Sequence, residues 1–234
     1  MKGLKGFERF ERFEGFERFE GFRSLKGLRS YRQMYKKKII FYLFMTVVAL
    51  FATTSCSEDD GIVEEYPDWQ VRNETYFNHL TDSVQALIAN GRTDWKRIRT
   101  WSKGEGDFLT NADYILVHVV NSAPATETAS PMYTDSVAVH YKVNLLPSTS
   151  YPNGLKADAS YIEPFDPDVA VAARFLAGGG LIDGFTTALL HMRRGDRWVV
   201  YMPYQLCYGV EGRDNIPGYS TLVYEMMLKD FWRD

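Results

Sequence analysis

From Trp69 to Asn90 the apolar positions Trp69, Tyr76, Leu80, Val84 and Leu87 recur at spacings of three, four and seven. That period predicts a helix that packs by one stripe, and Asn90-Gly91 supplies a C-cap. The period then falls to two. Trp95–Trp101 (WKRIRTW) alternates as a strand, and so does Asp113–Val120 (DYILVHVV), with Tyr114, Leu116 and His118 on one face. Asn121–Pro131, rich in Ala, Ser, Thr and Pro, reads as a linker. Asp135–Val143 (DSVAVHYKV) is a third strand that turns Val137, Val139, Tyr141 and Val143 inward. Asp183-Gly184 opens a short helix that presents Phe185, Leu189 and Met192 at i, i+4 and i+7. Val199–Pro203 is a strand stopped by its proline, and a last strand places Leu222, Tyr224, Met226 and Leu228 on one side. Strands around one short helix predict an α+β domain over residues 92–234, with an N-terminal helical extension at 69–91.

Upstream the pattern is different. Phe7–Phe22 (FERFERFEGFERFEGF) repeats with a period near three, which suits neither a strand nor an amphipathic helix. Residues 1–33 read as a low-complexity stretch ahead of a second start at Met34. From there MYKKKIIFYLFMTVVALFATTSC has the order of a secretory signal over residues 34–55. Lys36, Lys37 and Lys38 come first, then the uncharged 14-residue run Ile39–Ala52, short of the roughly 20 residues a membrane span needs. Thr53-Thr54-Ser55-Cys56 resembles a bacterial lipobox, although it lacks the usual Leu three positions before the cysteine. The resemblance implies cleavage before Cys56 and its acylation, hence a membrane partner through a lipid anchor. An ordinary signal peptide or an anchor helix is the alternative. Residues 56–68 form a tether whose Ser57-Glu58-Asp59-Asp60 resembles the surface-export signal of Bacteroidetes lipoproteins. A solvated linker on a periplasm-facing outer-membrane lipoprotein fits it as well.

Charge sharpens this division. The segment before Cys56 holds 12 basic and 5 acidic residues, and the remainder 15 and 25. A mature chain of net charge −10 gives no electrostatic case for nucleic acid as a partner. With Cys56 lipidated, Cys207 stands alone and reads as a small core residue. The four histidines are scattered, without metal-ligand spacing, so no metal and no cofactor is called for. Gly178-Gly179-Gly180 is a turn that lacks the lysine and flanking pattern of a phosphate cradle.

Seven blocks follow one another in a telling order. VAVHYKV at 137–143, GLKADAS at 154–160, Phe175 with a glycine-rich turn, LIDGF at 181–185, TALLHM at 187–192 with Gly195, LCYG at 206–209, and Ile216-Pro217 with TLVYEM at 221–226 together resemble the FKBP-type peptidyl-prolyl cis-trans isomerases. The resemblance implies an FKBP-like antiparallel sheet wrapped around a short helix. It implies that Tyr141, Phe185 and Tyr224 line a pocket for a proline ring, that Leu181 and Ile182 form a wall whose Ile182 N–H bonds a substrate carbonyl, and that Ile216 closes the far lip. Tyr208 would offer its hydroxyl and Asp158 would polarise the site. The implied activity is isomerisation of X–Pro bonds in exported, proline-containing polypeptides of the cell envelope. Four departures stand against that pattern. Ala157 replaces a Phe, Ala172 or Ala173 stands where a second aromatic is usual, Phe185 replaces a Trp, and Leu146–Asn153 is inserted. They keep open the alternative of a catalytically weak FKBP-fold lipoprotein that acts as a chaperone or binding module.

Overall fold

The structure, a computed structural model, describes residues 64–233 together with Lys36 and Lys38. The low-complexity repeat, the signal segment apart from those two lysines, Cys56 and the acidic run behind it lie outside the described residues.

Helix α1 spans Trp69–Ala89 and ends at Asn90, with Gly91 in the left-handed region at φ 81°. The Gly91 and Arg92 N–H groups return to the Ile88 and Leu87 carbonyls at 3.0 Å, which satisfies the last turn. The helix buries only Trp69 and Val84 of the stripe its apolar spacing predicts. Trp69, Asn73, Phe77, Thr81 and Val84 are buried, whereas Tyr76 is exposed and Leu80 and Leu87 are only half-buried. Two polar side chains are accommodated because their hydrogen bonds are complete. Thr81 donates to the Phe77 carbonyl at 2.8 Å, and Asn73 donates to the Trp69 carbonyl while accepting from the Thr221 N–H, both at 2.7 Å. Trp69 Nε1 donates to Ser220 Oγ at 2.9 Å. These bonds dock the helix on the loop that leads into the last strand.

Seven strands form one antiparallel sheet: β1 (Trp95–Arg99), β2 (Tyr114–Asn121), β3 (Ser136–Asn144), β4 (Lys156–Ala159), β5 (Ala173–Leu176), β6 (Arg197–Met202) and β7 (Leu222–Trp232). Their order is β1-β2-β6-β7-β3-β4, with β5 also paired to β3. β1 stops at Arg99, and Trp101 lies exposed in the turn beyond it. The second helix, α2 (Asp183–Leu189), packs on one face of the sheet with Phe185, Leu189 and Met192 buried. On β2, Ile115 and Val117 join the core on the α2 side, while Leu116 packs with Phe77 and Val84 of α1. The sheet is therefore covered on both faces here, and three consecutive β2 residues are fully buried. β7 buries Leu222, Tyr224, Met226 and Leu228 in strict alternation.

β3 departs from simple alternation. Ala138 and His140 are buried as well as Val137, Val139 and Val143, because the loop 160–172 covers their side, with the Phe165 ring 5.2 Å from His140. The inserted segment Leu146–Asn153 is held at the start of α1. Arg72 donates to the Pro147 carbonyl at 2.9 Å, and Glu65 accepts from the Ser150 N–H at 3.0 Å. Cys207 packs against the core with its thiol 3.7 Å from the Met202 carbonyl. Burial pushes that thiol's pKa up, so it is not a reactive thiolate. Among the described residues no helix is long and apolar enough to cross a membrane.

Candidate active site

β3, β4, β5, the entry to α2, the loop after β6 and β7 enclose a cavity of about 350 Å³. Its floor is aromatic. In the β3–β7 register Tyr141 lies opposite Met226 and Val143 opposite Tyr224, so the two tyrosines are diagonal neighbours on one face, within reach of each other. Their ring centroids are 6.2 Å apart. Phe185, brought up by the first turn of α2, meets both edge-on, at 5.8 Å from Tyr141 and 5.3 Å from Tyr224. Phe175 of β5 adds a fourth ring, 6.0 Å from Tyr141 and 5.9 Å from Phe185. Edge-to-face packing of this kind fixes ring orientation beyond what burial alone does.

One wall is polar. The Tyr141 hydroxyl donates to Asp158 Oδ2 at 2.7 Å, and Asp158 Oδ1 accepts from the Ala159 N–H at 2.8 Å. The pairing depends on a register shift between Val143 and Asn144 in the β3–β4 ladder, which leaves Val143 opposite Asp158 and Asn144 opposite Lys156. Ala157 falls in the shift and also lines the cavity. Ser160 secures the same strand end, its N–H donating to the Tyr141 carbonyl and its Oγ accepting from the Tyr141 N–H, both at 2.9 Å. Burial, and then the bond to Asp158, push the Tyr141 pKa up. Burial, and then the Tyr208 side chain, do the same for Tyr224, so both phenols stay protonated at neutral pH.

The rim is made by two loops. Leu181 and Ile182 stand before α2, and Ile182 is its N-cap in extended geometry (φ −63°, ψ 146°), which leaves its N–H outside the helix ladder. Across the opening Tyr208 carries the Arg213 guanidinium 5.6 Å from its ring centroid. Neither the Ile182 N–H nor the Tyr208 hydroxyl has a hydrogen-bond partner among the described residues. Ile216 is buried beneath the loop, held by reciprocal backbone bonds with Arg213 at 2.8 and 2.9 Å. That turn requires glycine at 212: φ is +73°, and a Cβ there would stand 2.3 Å from the Ile216 carbonyl oxygen.

Asp158, Tyr208, Ile182, Tyr141, Leu181, Phe185, Ile216 and Tyr224, widely separated in the chain, all line this one cavity. The insertion 146–153 contributes nothing to its lining. Arg213, Asp214 and Asn215 also reach the rim. No sequence signal marked them, because a polar loop tripeptide has no periodicity and no chemistry-bearing spacing. Phe175 was legible within its block but not as the fourth ring.

The family model described as FKBP-type peptidyl-prolyl cis-trans isomerase matches residues 127–229. Over this segment, somewhat under half of its length, the chain is similar to that family. The matched residues contain β3 to most of β7 and every side chain of the cavity. The chain is 32% identical over 145 residues to the FKBP-type 22 kDa peptidyl-prolyl cis-trans isomerase of Escherichia coli (strain K12), covering 62% of this chain and 61% of that one. It is 28% identical over 186 residues to the FKBP-type peptidyl-prolyl cis-trans isomerase FkpA of the same organism, covering 77% and 60%. It thus spans about three fifths of the length of these FKBP-type relatives. A crystal structure of a peptidyl-prolyl cis-trans isomerase from Pseudomonas syringae pv. tomato superposes with TM-score 0.43 at 21% identity, covering 65% of this chain and 92% of that one.

Proposed function

We propose that this FKBP-type domain isomerises X–Pro peptide bonds of exported polypeptides in the cell envelope, on a chain anchored to the membrane through an acylated Cys56. X–Pro exchange is slow because rotation breaks amide resonance, at a barrier of about 18–20 kcal/mol. A thousandfold acceleration takes about 4 kcal/mol of preferential binding to the twisted amide. No nucleophile is required. The aromatic floor of Tyr141, Phe185, Tyr224 and Phe175 receives the prolyl ring and removes water from the bond. Desolvation favours the twisted amide, whose carbonyl and nitrogen are less dipolar than the planar form. The Ile182 N–H and the Tyr208 hydroxyl, neither of which has a partner among the described residues, can donate to substrate carbonyls. Asp158 acts on Tyr141, to which it is bonded, and through it holds the polar wall against the ring pocket.

The observation that carries this reading is the meeting of a closed aromatic floor with two unspent donors on opposite rims of the same cavity. Exchange spectroscopy on a short X–Pro peptide tests it: added protein should broaden and then merge the cis and trans signals. Unchanged exchange at protein concentrations near that of the peptide rejects it.

Ala157 supports a second reading, a binding module of little catalytic use, since the family pattern places Phe at that position of the wall. In that case Ala157→Phe would switch on exchange in a protein that already bound the peptide. The anchor rests on the sequence between Met34 and Cys56. Intact-mass analysis with fatty-acid labelling checks it, and Cys56→Ala should abolish the label.

A further inference from the structure

Tyr208 and Ile216 reach the cavity from a single loop, 203–221, which joins β6 to β7. Two non-glycine residues of this loop have left-handed backbone, Asp214 at φ 50° and Tyr219 at φ 63°. A bulky ring such as that of Tyr219 stays in that region only where its surroundings hold it. Two contacts do so. The Tyr219 N–H donates to the Gly209 carbonyl at 2.9 Å, and its ring meets that of Tyr204 edge-on at 5.1 Å. The Gly209 N–H returns to the Tyr204 carbonyl at 2.9 Å, and the Gly212 N–H to the Tyr208 carbonyl at 3.2 Å. The two arms of the loop are therefore bonded to each other on either side of Tyr208.

Both arms are fastened in turn to the first two turns of α1. On the first arm the Tyr204 hydroxyl donates to Glu74 Oε1 at 3.1 Å, and Gln70 Nε2, one turn earlier on the helix, steadies the same oxygen at 3.0 Å. On the second arm Trp69 Nε1 donates to Ser220 Oγ, and Ser220 passes its own proton to the carbonyl of Pro217, the residue after Ile216, at 2.6 Å. Asn73 takes the Thr221 N–H at the end of that arm. α1 lies outside the segment 127–229 that the family model matches. We infer that α1 clamps the rim of the cavity: Trp69, Asn73 and Glu74 are positioning residues that tie both arms of the 203–221 loop to one rigid element and so set where Tyr208 and Ile216 meet the substrate. The inference rests on the cavity being the site of X–Pro binding, and it adds that a helix remote from the cavity lining tunes it. Trp69 and Asn73 are buried, whereas Glu74 and Tyr204 are half-buried, so the Glu74–Tyr204 bond is the link that can be cut with the least damage to folding.

The test uses the full chain with three substitutions. Tyr204→Phe keeps the ring on Tyr219 and removes the bond to α1, Glu74→Ala removes the acceptor, and Glu74→Gln retains an acceptor oxygen. Amide hydrogen exchange compares the loop N–H groups of Gly212 and Tyr219 with those of the β6–β7 ladder. Tyr204→Phe and Glu74→Ala are expected to speed exchange at the two loop amides by about tenfold, as local loss of one hydrogen bond implies, and to leave the ladder amides unchanged. On a short X–Pro peptide the same two variants should lose about threefold in kcat/KM, mainly in kcat, because a displaced donor is felt in the twisted state. Glu74→Gln should restore both readouts. Should Glu74→Ala disturb the helix, Tyr204→Phe against Glu74→Gln makes the same comparison. Unchanged loop amides, loop and ladder amides that quicken together, or a loosened loop with wild-type kcat/KM would each overturn the clamp. Amide exchange needs no turnover, so an inactive wild type would sink the isomerase reading and still leave the clamp to be decided by the loop amides.

Discussion

The Tyr141 hydroxyl and the Asp158 carboxylate, from different strands, meet at 2.7 Å on the wall of the aromatic cavity. Asp158 does not point free into the cavity: one oxygen holds Tyr141 and the other holds its own strand. Removing either partner should therefore have the same consequence. Tyr141→Phe and Asp158→Ala are each expected to lower kcat/KM by about tenfold, the loss of one charge-assisted hydrogen bond. The double variant should be little worse than either single one, because they break one bond. Peptide exchange rates for the four proteins check this, and additive losses would separate the two roles.

Tyr208 should behave differently. Its hydroxyl has no partner among the described residues, so Tyr208→Phe removes nothing from the folded protein. Stability should be unchanged within about 0.5 kcal/mol. Catalysis should fall by about three- to tenfold as one donor to the substrate carbonyl is lost. Urea unfolding and peptide exchange on the same sample measure both.

His140 is fully buried, and neither ring nitrogen has a hydrogen-bond partner among the described residues. Burial, and then the Lys229 charge, hold its pKa below the ordinary 6.5. The folded protein thus takes up the proton less readily than the unfolded chain, and the unfolded state binds more protons as pH drops through 6.5. The contribution of His140 is complete above that pH and is lost as pH falls through the lowered folded value. His140→Leu should flatten the decline of the urea midpoint between pH 7 and pH 5. A variant that follows the wild-type curve would disprove the role.

Asn73 is buried on α1 with both ends of its amide in use. Asn73→Ala strands the Thr221 N–H inside the protein and should cost about 2 kcal/mol. Thr221 immediately precedes β7, the strand that carries Tyr224, so the loss should exceed that for Asn78→Ala on the exposed side of the helix. Chemical denaturation of the two variants makes the comparison.

Local rules reached a long way into this fold. The alternation of Leu222, Tyr224, Met226 and Leu228 and the i, i+4, i+7 spacing of Phe185, Leu189 and Met192 are properties of neighbouring positions; the structure buries both sets, although α2 ends at Leu189 and Met192 lies just beyond it. The Asn90-Gly91 stop is equally local. β4 and β5 were harder, each only four residues long and too short for a period to show. The buried stripe of α1 departs in part from its apolar spacing for a different reason. Hydrophobicity ranks Tyr76 and Leu87 above Asn73 and Thr81, but a polar side chain is buried readily when its partners are in place, and those partners lie at Ser220 and Thr221, far along the chain.

The sequence by itself determined the longer elements, through short-range periodicity, and the order of the blocks. The eight side chains that converge on the cavity came from the resemblance those blocks carry. Only the tertiary structure decided that Phe175 completes the ring floor, that Asp158 is spent on Tyr141, and that the insertion at 146–153 packs against α1 and leaves the cavity open. Each of these depends on a register shift, a strand pairing or a loop anchor between residues distant in the chain, where contacts arise from chain folding and leave no local pattern to read.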